Sequence, residues 1–250
     1  MQNVKVLGVI PARYASTRFP GKPLADIAGK SMIRRVYERA AKSERICRLD
    51  VATDDSRIYD HVKSFTDDVY MTSSDHSNGT GRIAEILAKD DFANDNYGIV
   101  VNIQGDEPFI DYRQIDEAVS VLVNCEDAEV GTLVKKENLK VAENANKVKV
   151  VVGNDGKALY FSRSVIPFNM EKDDSVMYNI HVGMYAYRTD VLKKIVEMRK
   201  GRLESLERLE QLRWLENGIK IYVKETNMSS YGVDVPEDID ECLKIYKENL

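Results

Sequence analysis

Arg13, Arg18 and Lys22 stand within ten residues of one another in the stretch PARYASTRFPGKPL, residues 11 to 24. Arginine offers a planar fork of N–H donors and lysine a compact point charge, a combination suited to gripping a triphosphate. Gly21 lets the backbone approach a ligand closely, and Pro20 and Pro23 restrict the loop before anything binds. A solvated basic turn is the competing reading of the same residues. Two acids are candidate counterparts: Asp106 in QGDEP, just past the apolar run Ile99 to Ile103, and Asp234 in VDVPED. Mg2+ is a hard cation that takes oxygen ligands, often one or two carboxylates with phosphate and water completing the octahedron, so two acids and a triphosphate suffice. Each acid also has a structural reading. Asp106 can form a turn with Gly105 and Pro108, and Asp234 can help start the helix announced by Pro236.

A second loop, HSNGTGR at residues 76 to 82, runs into a helical pattern, and helix amino termini attract anions through free backbone N–H groups. His76 there suits ligand contact, capping or the surface equally. His181 and Tyr185 lie four apart on an apparent strand, hence on one face, consistent with a shared pocket or with core packing.

These side chains need a scaffold. Short β-branched runs alternate with helical patterns, which predicts a largely parallel sheet covered by helices. The predicted strands are Val4 to Ile10, Leu49 to Thr53, Ile99 to Ile103, Val130 to Val134, Val148 to Val152, Val182 to Tyr187 and Ile219 to Val223. Met32, Ile33, Val36, Tyr37, Ala40 and Ala41 recur at a helical period, and further helices are predicted over Gly79 to Lys89 and Tyr112 to Val123. The cationic loop then leaves the carboxyl end of the first strand, where open α/β sheets bind their ligands. After about residue 128 the pattern loosens into hairpins, with Asn154, Asp155 and Gly156 as a turn, so the sheet is expected to become mixed. Leu203, Leu206, Leu209, Leu212 and Leu215 predict one helix ending near Gly218.

A length of 250 residues fits one large α/β domain, and 43% hydrophobic with 31% charged residues is the composition of a globular protein with a sizeable core. No apolar run approaches the ~20 residues of a membrane-spanning helix, and the amino terminus reads as a first strand, not a signal peptide, so a cytoplasmic location without membrane attachment is expected. The three cysteines are scattered without CxxC spacing, which suggests neither a disulfide framework nor a zinc site. A net charge of -5 lacks the positive field that nucleic-acid binding needs, leaving a small anionic ligand as the expected partner.

PARYASTRFPGKPL, VATDD (51 to 55), MTSSDHSNGTGR (71 to 82), VNIQGDEP (101 to 108), ALYFSR (158 to 163), HVGMYAYR (181 to 188), LERLEQLRWLENG (206 to 218) and GVDVPEDID (232 to 240) occur in this order along nearly the whole chain. Together they resemble the sugar-activating nucleotidyltransferases, specifically the 3-deoxy-manno-octulosonate (Kdo) cytidylyltransferase family. The resemblance implies a single nucleotidyltransferase domain over residues 1 to 250, α/β in class. Its mostly parallel, Rossmann-like sheet would be mixed in the second half, with the sugar-binding and dimerisation part mainly within 128 to 218. It implies Mg2+-dependent transfer of CMP from CTP to the anomeric hydroxyl of an acidic 2-keto-3-deoxy sugar, giving CMP-Kdo for lipopolysaccharide synthesis and releasing pyrophosphate. A homodimer is implied as well. Arg13, Lys22, Asp106 and Asp234 are then the catalytic set, with Asp106 and Asp234 on the metal. Ala12, Arg13, Arg18, Lys22, Ser74, His76, Thr80, Arg82 and Asp106 would meet the nucleotide. Gln104, Arg163, His181, Tyr185, Glu210 and Gln211 would meet the sugar, Arg163 holding its carboxylate. Without the resemblance, Glu210 reads as one of the acids alternating with a leucine face. One position departs from the pattern: Gly81 stands where the family usually carries Asp or Glu. The departure keeps open an 8-amino-Kdo or sialic-type acid as substrate, and a catalytically silent nucleotide-binding protein is the reading from another class.

Overall fold

The computed structural model describes residues 4–76, 78–89, 92, 95–229 and 231–248. Ser77 of the HSNGTGR loop lies outside the described residues. The chain forms two compact units, Met1–Asp116 with Ser229–Leu250, and Glu117–Met228.

In the first unit, β1 (Val6–Ala12) is the centre of a parallel sheet, flanked by β4 (Arg48–Thr53) and β6 (Ile99–Asn102), with β5 (Val69–Met71) outside β4. A strand buried on both faces reads as a continuous apolar run, which is why VLGVI was legible. The expectation ended this strand at Ile10, whereas Pro11 and Ala12 continue it, pairing with Ala52 and Thr53. Between β1 and β4 come a two-residue hairpin, β2 (Asp26–Ile27) with β3 (Lys30–Ser31), and α1 (Met32–Ala40). The Ser31 hydroxyl caps α1, which buries Met32, Ile33, Val36 and Ala40. Helices α2 (Ser56–Lys63) and α3 (Gly79–Leu87) follow, and α4 (Tyr112–Asn124) leads the chain into the second unit. The return segment from residue 229 is anchored by a small apolar cluster of Ile27, Met32, Val233 and Cys242, against which Phe19, Phe109, Ile239 and Leu243 pack. Complete burial of Val233 contributes roughly 1.5–3 kcal/mol to holding this segment in place.

In the second unit, β7 (Val130–Glu137) pairs antiparallel with β10 (Tyr178–Arg188) and parallel with β11 (Ile221–Glu225), so this sheet is mixed as expected. Strands β8 (Lys149–Val152) and β9 (Ala158–Ser162) form the predicted hairpin, turning at Gly156 with φ 84°. A short α5 (Leu139–Ala142) precedes β8, and α6 (Thr189–Glu197) follows β10. The α/β class is thus borne out. The single leucine helix is not: the segment is α7 (Arg202–Glu207) and α8 (Glu210–Glu216), broken at Arg208, whose φ is 54°. The reason is geometric. A strict three-residue repeat drifts by about 60° per step around a 3.6-residue helix, so five leucines cannot share one face. The break lets Leu209 and Leu212 be buried and leaves Leu206 exposed.

Candidate active site

The cationic loop leaves the carboxyl end of β1, and three observations bring both distant acids to it. Gly105 packs so tightly under β1 that a Cβ there would lie 2.7 Å from the Pro11 carbonyl oxygen, which delivers the following residue, Asp106, beside the strand end. The Val233 N–H donates to the Asp106 carbonyl at 2.9 Å, which brings Asp234 alongside. Lys22 Nζ then stands between the carboxylates, 2.8 Å from Asp106 and 3.9 Å from Asp234, and donates as well to the Val233 carbonyl at 2.9 Å. Arg18 grips Asp234 bidentately at 2.9 and 3.1 Å. Both partners of that pair are more than half exposed, so it is worth at most ~1 kcal/mol and yields readily to a ligand. Arg13 is exposed and makes no ion pair among the described residues. The turn itself is closed by Gly21, whose φ of 71° suits glycine, and whose N–H donates to the Tyr14 carbonyl at 2.9 Å. Tyr14 in turn packs under the Arg57 guanidinium, 3.3 Å from the ring centre.

The donor set fits Mg2+ in kind: two carboxylates drawn around one cation, here the lysine ammonium. Among the described residues no group of three or more His, Cys, Asp or Glu is placed to hold a metal. A metal held by two carboxylates would take its remaining ligands from phosphate oxygen and water.

The second loop is built around Arg82 and Glu85. Arg82, expected at the nucleotide, is buried, with one guanidinium nitrogen 2.8 Å from Asp54 and another 2.5 Å from the Thr72 hydroxyl. These bonds, with a further one to the Ser73 carbonyl at 3.3 Å, tie the loop to the segment after β4. Thr80 is also buried and Ser74 is exposed. His76 Nε2 lies 2.7 Å from a Glu85 carboxylate oxygen, which also accepts the Ser73 N–H at 2.8 Å. Burial raises the Glu85 pKa, but the Ser73 N–H and His76 outweigh it and hold the group below its ordinary value. Asn78 caps α3 by accepting the Gly81 N–H. A Cβ at Gly81 would lie 2.9 Å from His76 Nδ1, so the imidazole fills the space that a longer side chain would need. Ala12 is buried at the end of β1, and Gln104 follows β6 in the first unit.

The other expected sugar residues belong to the second unit. β10 is irregular between Val182 and Tyr185, where it leaves its regular register with β7. Such irregularities re-aim side chains. His181 and Tyr185 do share a face, their rings 5.2 Å apart, with Phe161 beyond His181 and Trp214 of α8 beyond Tyr185. The Thr132 hydroxyl has one proton, and the Met184 carbonyl at 2.7 Å takes it. His181 Nε2, 3.0 Å from the same oxygen, therefore carries the hydrogen, leaving Nδ1 as an acceptor. His181 keeps some accessible surface, yet desolvation by the surrounding protein pushes its pKa down to about 3, so the ring is neutral at physiological pH. Burial, aided by Tyr187 and Glu210, raises Tyr185 well above an ordinary tyrosine. The buried Tyr185 hydroxyl and Trp214 Nε1 have no hydrogen-bond partner among the described residues, so both donors are available to a ligand or water. Glu210 is partly exposed and pairs with Arg213 at 3.3 Å, while Gln211 is buried. Arg163 is held by main-chain carbonyls, its Nε donating to Glu207 at 2.7 Å and its Nη1 to Ala145 at 3.0 Å. Sequence reasoning missed Tyr14, Glu85, Lys149, Glu207 and Trp214. Only Lys149, a lysine inside the run VKVVV at residues 148 to 152, carried a visible signal.

Comparison with known proteins identifies the family. A sequence model of the family described as Cytidylyltransferase matches residues 7–246, and the chain belongs to that family. Its relatives include the 3-deoxy-manno-octulosonate cytidylyltransferase of Solibacter usitatus (strain Ellin6076), 47% identical over 247 residues, covering 98% of this chain and 96% of the relative. The protein of the same name from Thermodesulfovibrio yellowstonii is 49% identical over 251 residues, covering 95% of this chain and 98% of the relative. A solved structure of a CMP:2-keto-3-deoxy-manno-octonic acid synthetase complexed with CTP superposes with TM-score 0.92 at 39% identity, covering 98% of this chain and all of the other. Within the cytidylyltransferases, the chain's place is therefore among those that carry the 3-deoxy-manno-octulosonate name. A 4-diphosphocytidyl-2C-methyl-D-erythritol synthase from Anaerococcus prevotii shares the fold, with TM-score 0.61 at 14% identity.

Proposed function

We propose that the protein transfers CMP from CTP to the anomeric hydroxyl of 3-deoxy-D-manno-octulosonate, releasing pyrophosphate and giving CMP-Kdo for lipopolysaccharide synthesis. The observation that carries this reading is the convergence of Lys22 on Asp106 and Asp234 at the end of β1. The sugar hydroxyl attacks the α-phosphorus in line, and the protein's task is positioning and charge neutralisation, with little covalent participation. Lys22 and Arg18 exchange their carboxylate partners for phosphate oxygens, and Arg13 adds its unpaired charge to the departing pyrophosphate. Asp106 and Asp234 hold Mg2+, whose chemistry when bound is to neutralise phosphate charge and lower the pKa of the attacking hydroxyl. Arg163 takes the sugar carboxylate, while neutral His181 and the free Tyr185 hydroxyl offer an acceptor and a donor to sugar hydroxyls.

A homodimer is part of the same proposal. Large apolar side chains left exposed in the second unit, Leu159, Phe168, Met170, Met177 and Leu206, support a second copy as their cover. A cytoplasmic site of action suits a CTP-dependent enzyme whose three cysteines are free, and no helix among the described residues is long and apolar enough to cross a membrane. Pyrophosphate release from CTP and Mg2+, measured with Kdo, 8-amino-Kdo and a sialic acid in parallel, tests the reading. Release is expected with Kdo above the others; exclusive use of the amino sugar, or no release with any acid, would refute it.

A further inference from the structure

Arg163 follows β9 and is partly exposed, yet it makes no ion pair among the described residues. Two of its five side-chain N–H groups are spent on carbonyls, which fixes the plane of the guanidinium and leaves its charge uncompensated by a side-chain partner. Its main chain is held just as closely. The Arg163 N–H donates to one Glu207 carboxylate oxygen at 2.9 Å, and the other carboxylate oxygen accepts the Ser162 hydroxyl at 2.7 Å. On the far side of the residue, Lys149 Nζ donates to the Arg163 carbonyl at 2.6 Å and to the Asn144 carbonyl at 3.2 Å.

Lys149 is the oddity in this arrangement. It is fully buried on β8, opposite Ser162 in the β8–β9 register, and makes no ion pair among the described residues. Burial lowers its pKa, with Glu207 opposing the shift and Arg163 adding to it. An ammonium in such a place is costly, and an apolar side chain of similar length would fill the volume without that cost. What the lysine does that methionine cannot is donate at once to two carbonyls, one of them that of Arg163.

We propose that Lys149 and Glu207 are positioning residues for sugar selection: gripping the main chain of Arg163 from both sides, they present its remaining N–H fork to the carboxylate of an acidic sugar. The inference rests on the sugar-activating reading above. A bidentate arginine discriminates a carboxylate from a neutral group only if its fork is held in place, and a small misplacement costs binding at that one contact. Neither residue touches the sugar, so the effect is confined to how well Arg163 is aimed.

The test uses the full-length enzyme with Lys149→Met, Glu207→Gln and Arg163→Ala, CTP and Mg2+, and Kdo compared with its methyl ester. For the two positioning variants, KM for Kdo is expected to rise about tenfold, with KM for CTP within about twofold of wild type. The preference for acid over ester is expected to fall in the same proportion, approaching that of Arg163→Ala. Glu207→Gln keeps the shape and one acceptor, so it carries the test if Lys149→Met folds poorly. Unchanged acid preference in a folded variant, or equal movement of both KM values, would overturn the inference. A wild-type enzyme that does not use Kdo, or an Arg163→Ala variant that keeps full acid preference, would overturn the reading of the sugar site and this inference with it.

Discussion

The neutral state of His181 makes the stability of the fold depend on pH. An unfolded histidine titrates near 6.5, whereas burial brings the folded group to about 3. Between these values the unfolded chain binds a proton that the folded chain refuses, so the stabilising contribution is complete above about pH 6.5 and is lost progressively as pH falls toward the folded value. At ~1.36 kcal/mol per unit, passage from about pH 7 to about pH 5 removes about 2 kcal/mol through this one ring. The perturbation is His181→Gln, which keeps a donor for the Thr132 hydroxyl but cannot titrate. Urea unfolding at the two pH values should show wild type losing about 2 kcal/mol more than the variant, equivalent to roughly 4–8 °C in melting temperature for a chain of this size. Equal losses would mean that His181 titrates near its ordinary value when folded, and the claim that burial holds the ring neutral would fail.

Other outcomes follow from the same geometry. Asp106→Asn and Asp234→Asn should each lower turnover by on the order of a hundredfold while leaving the circular dichroism spectrum unchanged, and full activity of either with Mg2+ would sink the metal assignment. Arg82→Met leaves the Asp54 carboxylate without its buried partner, and chemical denaturation should register a loss of about 3 kcal/mol; a change below ~0.5 kcal/mol would show that the pair is not structural. Gly81→Asp gains ~0.3–1 kcal/mol from a carboxylate in the first turn of α3, but must displace His76 from Glu85 at an overpacking cost of ~1–3 kcal/mol. The variant should melt lower than wild type, and a higher melting temperature would mean that the imidazole yields freely.

What the sequence disclosed follows the range of the forces involved. The first strand and its cationic loop were legible because a fully buried parallel strand is an unbroken apolar run and because prolines and a glycine punctuate the turn. The hairpin at Gly156 was legible for the same local reason. The helix after residue 201 was misread because counting leucines at every third position ignores the drift of a 3.6-residue period. Asp234 was a candidate by its chemistry, and the resemblance alone separated its metal role from that of a helix-starting acid, since such an acid looks the same whether or not it faces Asp106. Its placement depends on burial of Val233 and one backbone hydrogen bond, neither of which has a local signature. Arg82 was placed at the nucleotide through the resemblance, and its bonds to Asp54 and Thr72 have no local signature in the sequence. Lys149 stood out as a lysine in an apolar run, but its partner, like that of Glu207, is a main-chain group of Arg163, which leaves no pattern in the sequence.

Crystals of the protein grown with CTP and Mg2+ would locate the triphosphate relative to Lys22, Asp106 and Asp234. A phosphate oxygen is expected within about 3 Å of Lys22 Nζ, and a metal within roughly 2.1 Å of an oxygen from each aspartate. A triphosphate bound elsewhere on the chain, with Lys22 still seated between the two carboxylates, would contradict that arrangement.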